Sequence, residues 1–295
     1  MGMNYAEGTF SLLEVRKEYK DLKFVNEKID KNINPVQRLE IHNSIFEDMG
    51  FRETKIANCD FSHNTFINCY FKKTEFWNVD FTGSRFINCN FDGAKIQHSD
   101  FIYCKFCGCF IEYEIMLNNL PNEYNLREKL CRNLSLESLN AGYDRDYKKY
   151  FYEMKNAGEI DNFETFRLNP KSYYKQKTIS EKIMAFFAYC FSKVNKFIWG
   201  YGENIPRLFI MLIIIIFVFA FLFYNDLTLL LYNNEAVQIT MLHALFISIM
   251  NLCTTSAGFS AGNSFTEILF IIENVIGVLF LGLFVSVIIK NINRR

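Results

Sequence analysis

The sequence predicts a multidomain chain: a stacked solenoid in water followed by an all-α part made for a bilayer. Three observations predict it. Every fifth residue from Phe46 to Ile111 is Phe or Ile. Between Arg207 and Lys290 there is no Lys or Arg, and only Asp226, Glu235, Glu267 and Glu273 carry charge. Within that stretch, two apolar runs long enough to cross a membrane flank a third that is too short. Over all 295 residues, 32 Lys+Arg balance 32 Asp+Glu, so nothing draws the chain to nucleic acid and no such partner is expected. Hydrophobic residues at 50% exclude wholesale disorder.

Residues 1–40 carry charges throughout and lack the apolar stretch of a secretion signal. Ala6 stands where acylation at Gly2 wants Ser or Thr. This segment is expected to cap the solenoid. The 9 cysteines are expected to be reduced and cytosolic, since most fall at positions that the repeat explains.

From 41 to 112 the five-residue period rules. Two places before each large apolar residue sits a mostly small one, such as Ser44, Thr54, Cys59, Cys69, Thr74, Ser84, Cys89 and Ser99. A period of five fits neither a helix nor a strand, so each unit must turn a corner and stack on its equivalent. The stretch resembles the pentapeptide-repeat family, whose units carry a central Leu or Phe with a small residue two places earlier. The resemblance implies a right-handed quadrilateral β-helix with about twenty residues per coil. Cys104, Cys107 and Cys109 invite a metal-cluster reading, but Cys104 and Cys109 hold the small inward position, where Cys acts as a compact hydrophobe. No metal and no other cofactor is expected. Some members of the family mimic DNA through an acidic face; here acidic and basic residues are mixed and the field is weak. The flat faces leave room for a protein partner that the repeat does not name.

Residues 113–180 lose the period and read as a helical connector containing a short helix pair. Residues 181–204 place Ile183, Phe186, Phe187, Cys190, Val194 and Phe197 at helical spacing, with Lys182, Lys193 and Lys196 among them. That pattern suits an amphipathic helix lying in a bilayer interface, or one buried in protein.

Residues 205–295 form the membrane part, with spans expected at about 205–224 and 268–289. Basic residues from Lys171 to Arg207 precede the first span, and Lys290, Arg294 and Arg295 follow the second, so both termini are expected in the cytoplasm. The chain is then an integral protein of the plasma (inner) membrane, with the lipid bilayer as a partner. The short run at about 241–253, followed by the hydroxyl-rich and Gly-containing stretch 254–262, reads as a re-entrant pore helix and a filter-like loop. Irregular backbone at membrane depth is tolerated only where it is buried in protein or lines a water-filled cavity.

This arrangement looks like the two-transmembrane, potassium-channel-like pore family. Ala244–Ser248 resembles its pore-helix start, Thr254-Thr255 its filter entrance, and Ile272–Gly277 with Leu283–Lys290 its inner helix. Trp199–Glu203 resembles members that carry cytosolic pentapeptide repeats. The resemblance implies a homotetramer around one pore, an ion pathway formed by Thr254, Thr255, Ser256, Ala257, Gly258, Phe259 and Ser260, and a gating hinge at Gly277. Two filter registers stay open. Ser256–Ser260 keeps a Gly-aromatic pair but puts Ser260 for the last glycine, whereas Thr254–Gly258 loses the first glycine. Both depart from the family pattern, so potassium selectivity is not implied; the acidic, base-free external stretch suits a monovalent cation. Glu273, ionisable within a span, is a functional candidate or a hydrogen-bonding support for the filter. Close helix packing is the alternative for Gly277.

Gly258–Gly262 spells G-x-S-x-G, the nucleophile elbow of some hydrolases, but no histidine follows Ser260. No catalytic residue and no enzyme activity are expected. The function expected is an oligomeric cation channel whose cytosolic repeat domain serves regulation or assembly. The alternative is a non-conducting, membrane-anchored scaffold whose repeat domain recruits a partner.

Overall fold

The computed structural model describes residues 5–29, 36–167, 172–225, 230–232, 235–236, 240–255, 258–262 and 264–292. It divides into two units, Met1–Tyr189 and Cys190–Arg295.

The first unit opens with a β-solenoid. One parallel ladder runs through Ala6–Glu7, Leu22–Val25, Ile45–Glu47, Thr65–Ile67, Arg85–Ile87 and Lys105–Cys107. A second runs through Glu18–Lys20, Glu40–His42, Lys55–Asp60, Glu75–Asp80 and Lys95–Gln97, with Val36–Gln37 also paired to Lys55–Asp60. Phe46 is in register with Phe66, Phe66 with Phe86, and Phe86 with Phe106. Four five-residue units therefore close one coil. The rings stack at 4.6, 4.9 and 4.9 Å, the spacing of neighbouring strands. Each fully buried Phe stabilises the stack by about 1.5–3 kcal/mol.

The corners explain the rest of the repeat. Asn58, Asn68, Asn78 and Asn88 turn the chain with φ of 53°, 52°, 53° and 53°. Asn tolerates this left-handed region better than most residues. Small inward residues answer the previous coil: Thr74 Oγ1 donates to Phe51 O at 2.6 Å and Ser84 Oγ to Phe61 O at 2.7 Å. Cys104 and Cys109 donate likewise to Phe81 O and Phe86 O, while Cys107 is exposed. Burial pushes the Cys59 thiol up to about 11 and the Cys131 thiol up to about 12, and all 9 cysteines are free thiols.

The strand pairing begins upstream of residue 41. Glu18 pairs with Glu40 and Lys23 with Ile45, and Phe24 stacks on Phe46 at 4.9 Å. These pairs are two residues further apart than Ile45 and Thr65, which takes the first coil out of the five-residue beat. The stretch expected as a cap thus supplies solenoid strands.

The downstream edge is covered. Asn119 Oδ1 accepts the Ser99 N–H at 2.9 Å, and its Nδ2 donates to Ile96 O at 2.9 Å. Helices α1 (Tyr113–Met116), α2 (Tyr124–Asn140) and α3 (Asp144–Phe166) follow, with α2 and α3 packed together. Asn133 of α2 pairs with both backbone groups of Phe106 at 2.7 and 2.8 Å, and Glu137 accepts the Gly108 N–H at 2.7 Å. The free strand edge is thereby removed from solvent pairing. Helix α4 (Ser172–Lys175) returns the Tyr174 hydroxyl to Asp161 at 3.1 Å. Helix α5 (Ile179–Trp199) starts with a capping box: Thr178 N–H donates to Glu181 Oε2 at 2.6 Å, and Glu181 N–H to Thr178 Oγ1 at 3.3 Å. Ile183, Phe187, Phe191, Val194 and Phe197 of α5 are exposed.

In the second unit, Gly200, Tyr201 and Gly202 turn the chain with φ of 59°, 59° and 80°. Helices α6 (Ile205–Asn225) and α8 (Ser264–Ile292) are long and apolar enough to cross a membrane. Helix α7 (Met241–Leu252) packs on both, around Phe219, Ala220, Phe223, Ala244, Ile247 and Leu269. A small antiparallel sheet sets Leu230–Tyr232 between Glu235–Ala236 and Phe259–Ala261. Large apolar side chains such as Ile213, Phe217, Phe221, Ile271, Val275 and Val278 face outward, as in helices whose solvent is lipid.

Candidate functional site

The end of α7 is a closely bonded turn. Thr254 N–H donates to Asn251 O and Thr255 N–H to Met250 O, both at 2.9 Å. With Thr254 at φ 60°, this is a Schellman cap, in which the left-handed position usually belongs to Gly. A β-branched Thr there is strained. The Thr255 hydroxyl also donates to Met250 O at 2.8 Å, which turns it back onto α7. Gly258 reverses the chain at φ 77°, and Phe259 and Ser260 then enter the strand opposite Tyr232 and Leu231. Ser256 and Ala257 lie outside the described residues.

Behind this cap lies a polar knot. Glu273 is fully buried; it accepts from Ser248 Oγ at 2.5 Å and from Asn251 Nδ2 at 2.7 Å. Asn274 Nδ2 donates to Asn251 Oδ1 at 2.9 Å, and Asn251 Nδ2 also lies 3.1 Å from Phe270 O. Ser248 Oγ is 3.2 Å from Ile216 O on α6. The knot binds α7 to α8 across the residues that precede the loop. Chemically it can fix the position of a backbone turn, because buried polar groups that satisfy one another hold a single arrangement. Gly277 lies one turn beyond Glu273, within unbroken α8, and a Cβ there would collide with the Leu252 carbonyl oxygen. Its lack of a side chain lets the end of α7 seat on α8.

Thr254, Thr255 and Phe259 line one 310 Å³ cavity together with Asn251 and Asn274. Ser260 is exposed and is not among its lining residues. The sequence reading missed Ser248, Asn251 and Asn274. The signal was present, since Ser248 and Asn251 stand at i, i+3 in a stretch, 244–252, that is otherwise apolar, where polar residues need partners.

Residues 75–111 match the family of pentapeptide repeats, in 8 copies. This region is a pentapeptide-repeat domain. Among solved structures, the chain is similar to QnrB1, a plasmid-mediated fluoroquinolone resistance protein. Two trypsin-treated forms are 22% and 21% identical, with 32% and 33% of this chain covering 56% of each, at a TM-score of 0.13. The full-length form is 18% identical, with 32% of this chain covering 69% of it, at a TM-score of 0.14. The chain thus spans little more than half of the first two. No curated protein matches it.

Proposed function

We propose that the chain is one subunit of an oligomeric cation channel of the two-transmembrane type, with the pentapeptide-repeat solenoid acting on the cytosolic side in regulation or assembly. One observation carries the reading: a helix too short to cross a membrane, α7, is bonded through Ser248 and Asn251 to Glu273 of a membrane-length helix and ends in a strained turn at Thr254. Such backbone is stable at membrane depth only beside protein or a water-filled path. One subunit cannot enclose a path, so the reading requires a second partner class, further copies of the chain, as a homotetramer.

In this reading both termini are cytoplasmic, the membrane is the plasma (inner) membrane, α5 lies in its interface, and monovalent cations pass the loop. Carbonyls alternate in direction along a strand. Ion contact is therefore assigned to the register from Thr254 to Gly258, and Phe259 and Ser260 to the wall. Glu273 holds the loop in place, and α8 moves about Gly277. The test is flux from vesicles reconstituted with full-length protein, comparing potassium with sodium. Flux that disappears in Gly258→Phe while the oligomer persists supports the channel; no flux under any trigger refutes it. The pairing of Phe259–Ala261 with Leu230–Tyr232 favours a second reading, a non-conducting membrane-anchored scaffold, because it closes part of the loop. In a scaffold, Gly258→Phe leaves partner recruitment unchanged.

A further inference from the structure

We propose that the space beneath the C-terminal end of α7 is a binding site for one acyl chain of a membrane lipid. It rests on the membrane reading of α6 and α8 and not on conduction. The cavity measures 460 Å³, within the range of small-molecule sites. Its walls are Leu212 of α6, Leu252 and Cys253 at the end of α7, and Phe280 and Val285 of α8, with Gly277 among them.

The void has a geometric origin. Helix α7 wedges between later residues of α6, such as Phe219 and Phe223, and earlier residues of α8, such as Leu269. It stops at Leu252, where Gly277 admits its carbonyl. Past that point, among the described residues, α6 and α8 have no third helix between them until Phe209 and Phe284 meet edge to face at 4.8 Å.

Chemistry selects the occupant. A trapped water needs two to four polar partners, and these walls offer one thiol and a carbonyl already turned toward Gly277. Among the described residues no charged side chain lines the space, so a lipid headgroup finds nothing to bind. Leu281 and Val285 of the lining are 69% and 48% exposed, so the cavity is open on the side of α8, and in the membrane reading that apolar mouth admits hydrocarbon. A chain seated there touches Leu252 and Cys253, the residues immediately before the strained Thr254 turn.

The test places full-length protein in phosphatidylcholine vesicles in which one acyl chain carries a diazirine at mid-length. After irradiation, peptide mass mapping is expected to find cross-links on Leu252 and Cys253 as well as on the outward residues Phe217 and Ile271. Leu212→Trp and, from the opposite wall, Val285→Trp are each expected to lower the Leu252 and Cys253 signal about tenfold against the outward signal, equivalent to ~1.4 kcal/mol of binding. Persistent outward labelling identifies a variant that still inserts. Outward labels without any on Leu252 or Cys253 would overturn the site alone, leaving water or a second copy as its filler. Labelling unchanged in both Trp variants would also overturn it. No labels on α6 or α8 would remove the membrane reading and the site together.

Discussion

The two units treat buried polar groups in opposite ways. The solenoid distributes them along its axis: Asn64 Nδ2 donates to Ile41 O at 2.6 Å, Thr74 to Phe51 O and Ser84 to Phe61 O, each answered by a carbonyl of the preceding coil. The second unit gathers them, with Ser248, Asn251 and Asn274 meeting around Glu273. Solvent accounts for the difference. A solenoid coil lies one side chain from water, and its ladder repeats the same answer at each level. In the membrane reading no water can reach a stray group in the second unit, so polar atoms there are stable where they satisfy one another. Damage should therefore stay local in the first unit and spread through the whole knot in the second.

The largest expected effect tests the local half of that contrast. Phe86→Ala removes a fully buried ring stacked between Phe66 and Phe106, and denaturant unfolding should show a loss of about 3–5 kcal/mol. Combined with Phe24→Ala at the distant first coil, the losses should add to within about 0.5 kcal/mol. A large coupling between those two sites would break the contrast.

Next comes the knot. Glu273→Ala removes the acceptor that Ser248 and Asn251 share and leaves them only the longer bonds to Ile216 O and Phe270 O, at an expected cost of about 1–3 kcal/mol in detergent thermal unfolding. Adding Asn251→Ala should cost less than the same change made alone, because its bond to Glu273 is already gone and only its bonds to Asn274 and Phe270 O remain to be lost. Full additivity of the two would mean that the knot is a set of independent bonds.

Smaller and opposite in sign, Thr254→Gly should stabilise the unit by about 1 kcal/mol by relieving the left-handed Thr. Thermal unfolding reads this directly, and a destabilised variant would show that the side chain itself matters to the turn.

The smallest effect concerns pH. Burial, then the neighbouring carboxylates of Asp80 and Glu123, hold the Asp100 carboxyl above its ordinary range. A raised acid favours the protonated fold, so this site weakens the native state as pH rises through the carboxylate range and does not do so below it. Asp100→Asn should raise the midpoint of unfolding slightly at neutral pH and leave it unchanged in acid. Equal effects at both would place the cause elsewhere.

Legibility followed repetition. The Phe46–Ile111 period exposed the solenoid because each ring must meet the ring one coil away, and apolar length exposed α6 and α8. The first coil stayed hidden because Glu18 pairs with Glu40, out of step with the later beat. The sheet joining Leu230–Tyr232 to Phe259–Ala261 had no sequence signal either, since three-residue strands show too little alternation to read. The helix end at Thr254 lacked the glycine that usually marks it. For Gly277 the sequence admits both a hinge and a packing role, and the seat for the Leu252 carbonyl is what packing adds.

A coil that closes after four units has an engineering corollary. Because Phe66, Phe86 and Phe106 repeat one environment, excising or duplicating one whole coil should return the chain to the same corner with the same facing, shortening or lengthening the rod by a single strand spacing, about 4.8 Å. Half a coil would instead rotate everything downstream to the opposite side. The length of this rod is adjustable only in whole steps, like a ratchet.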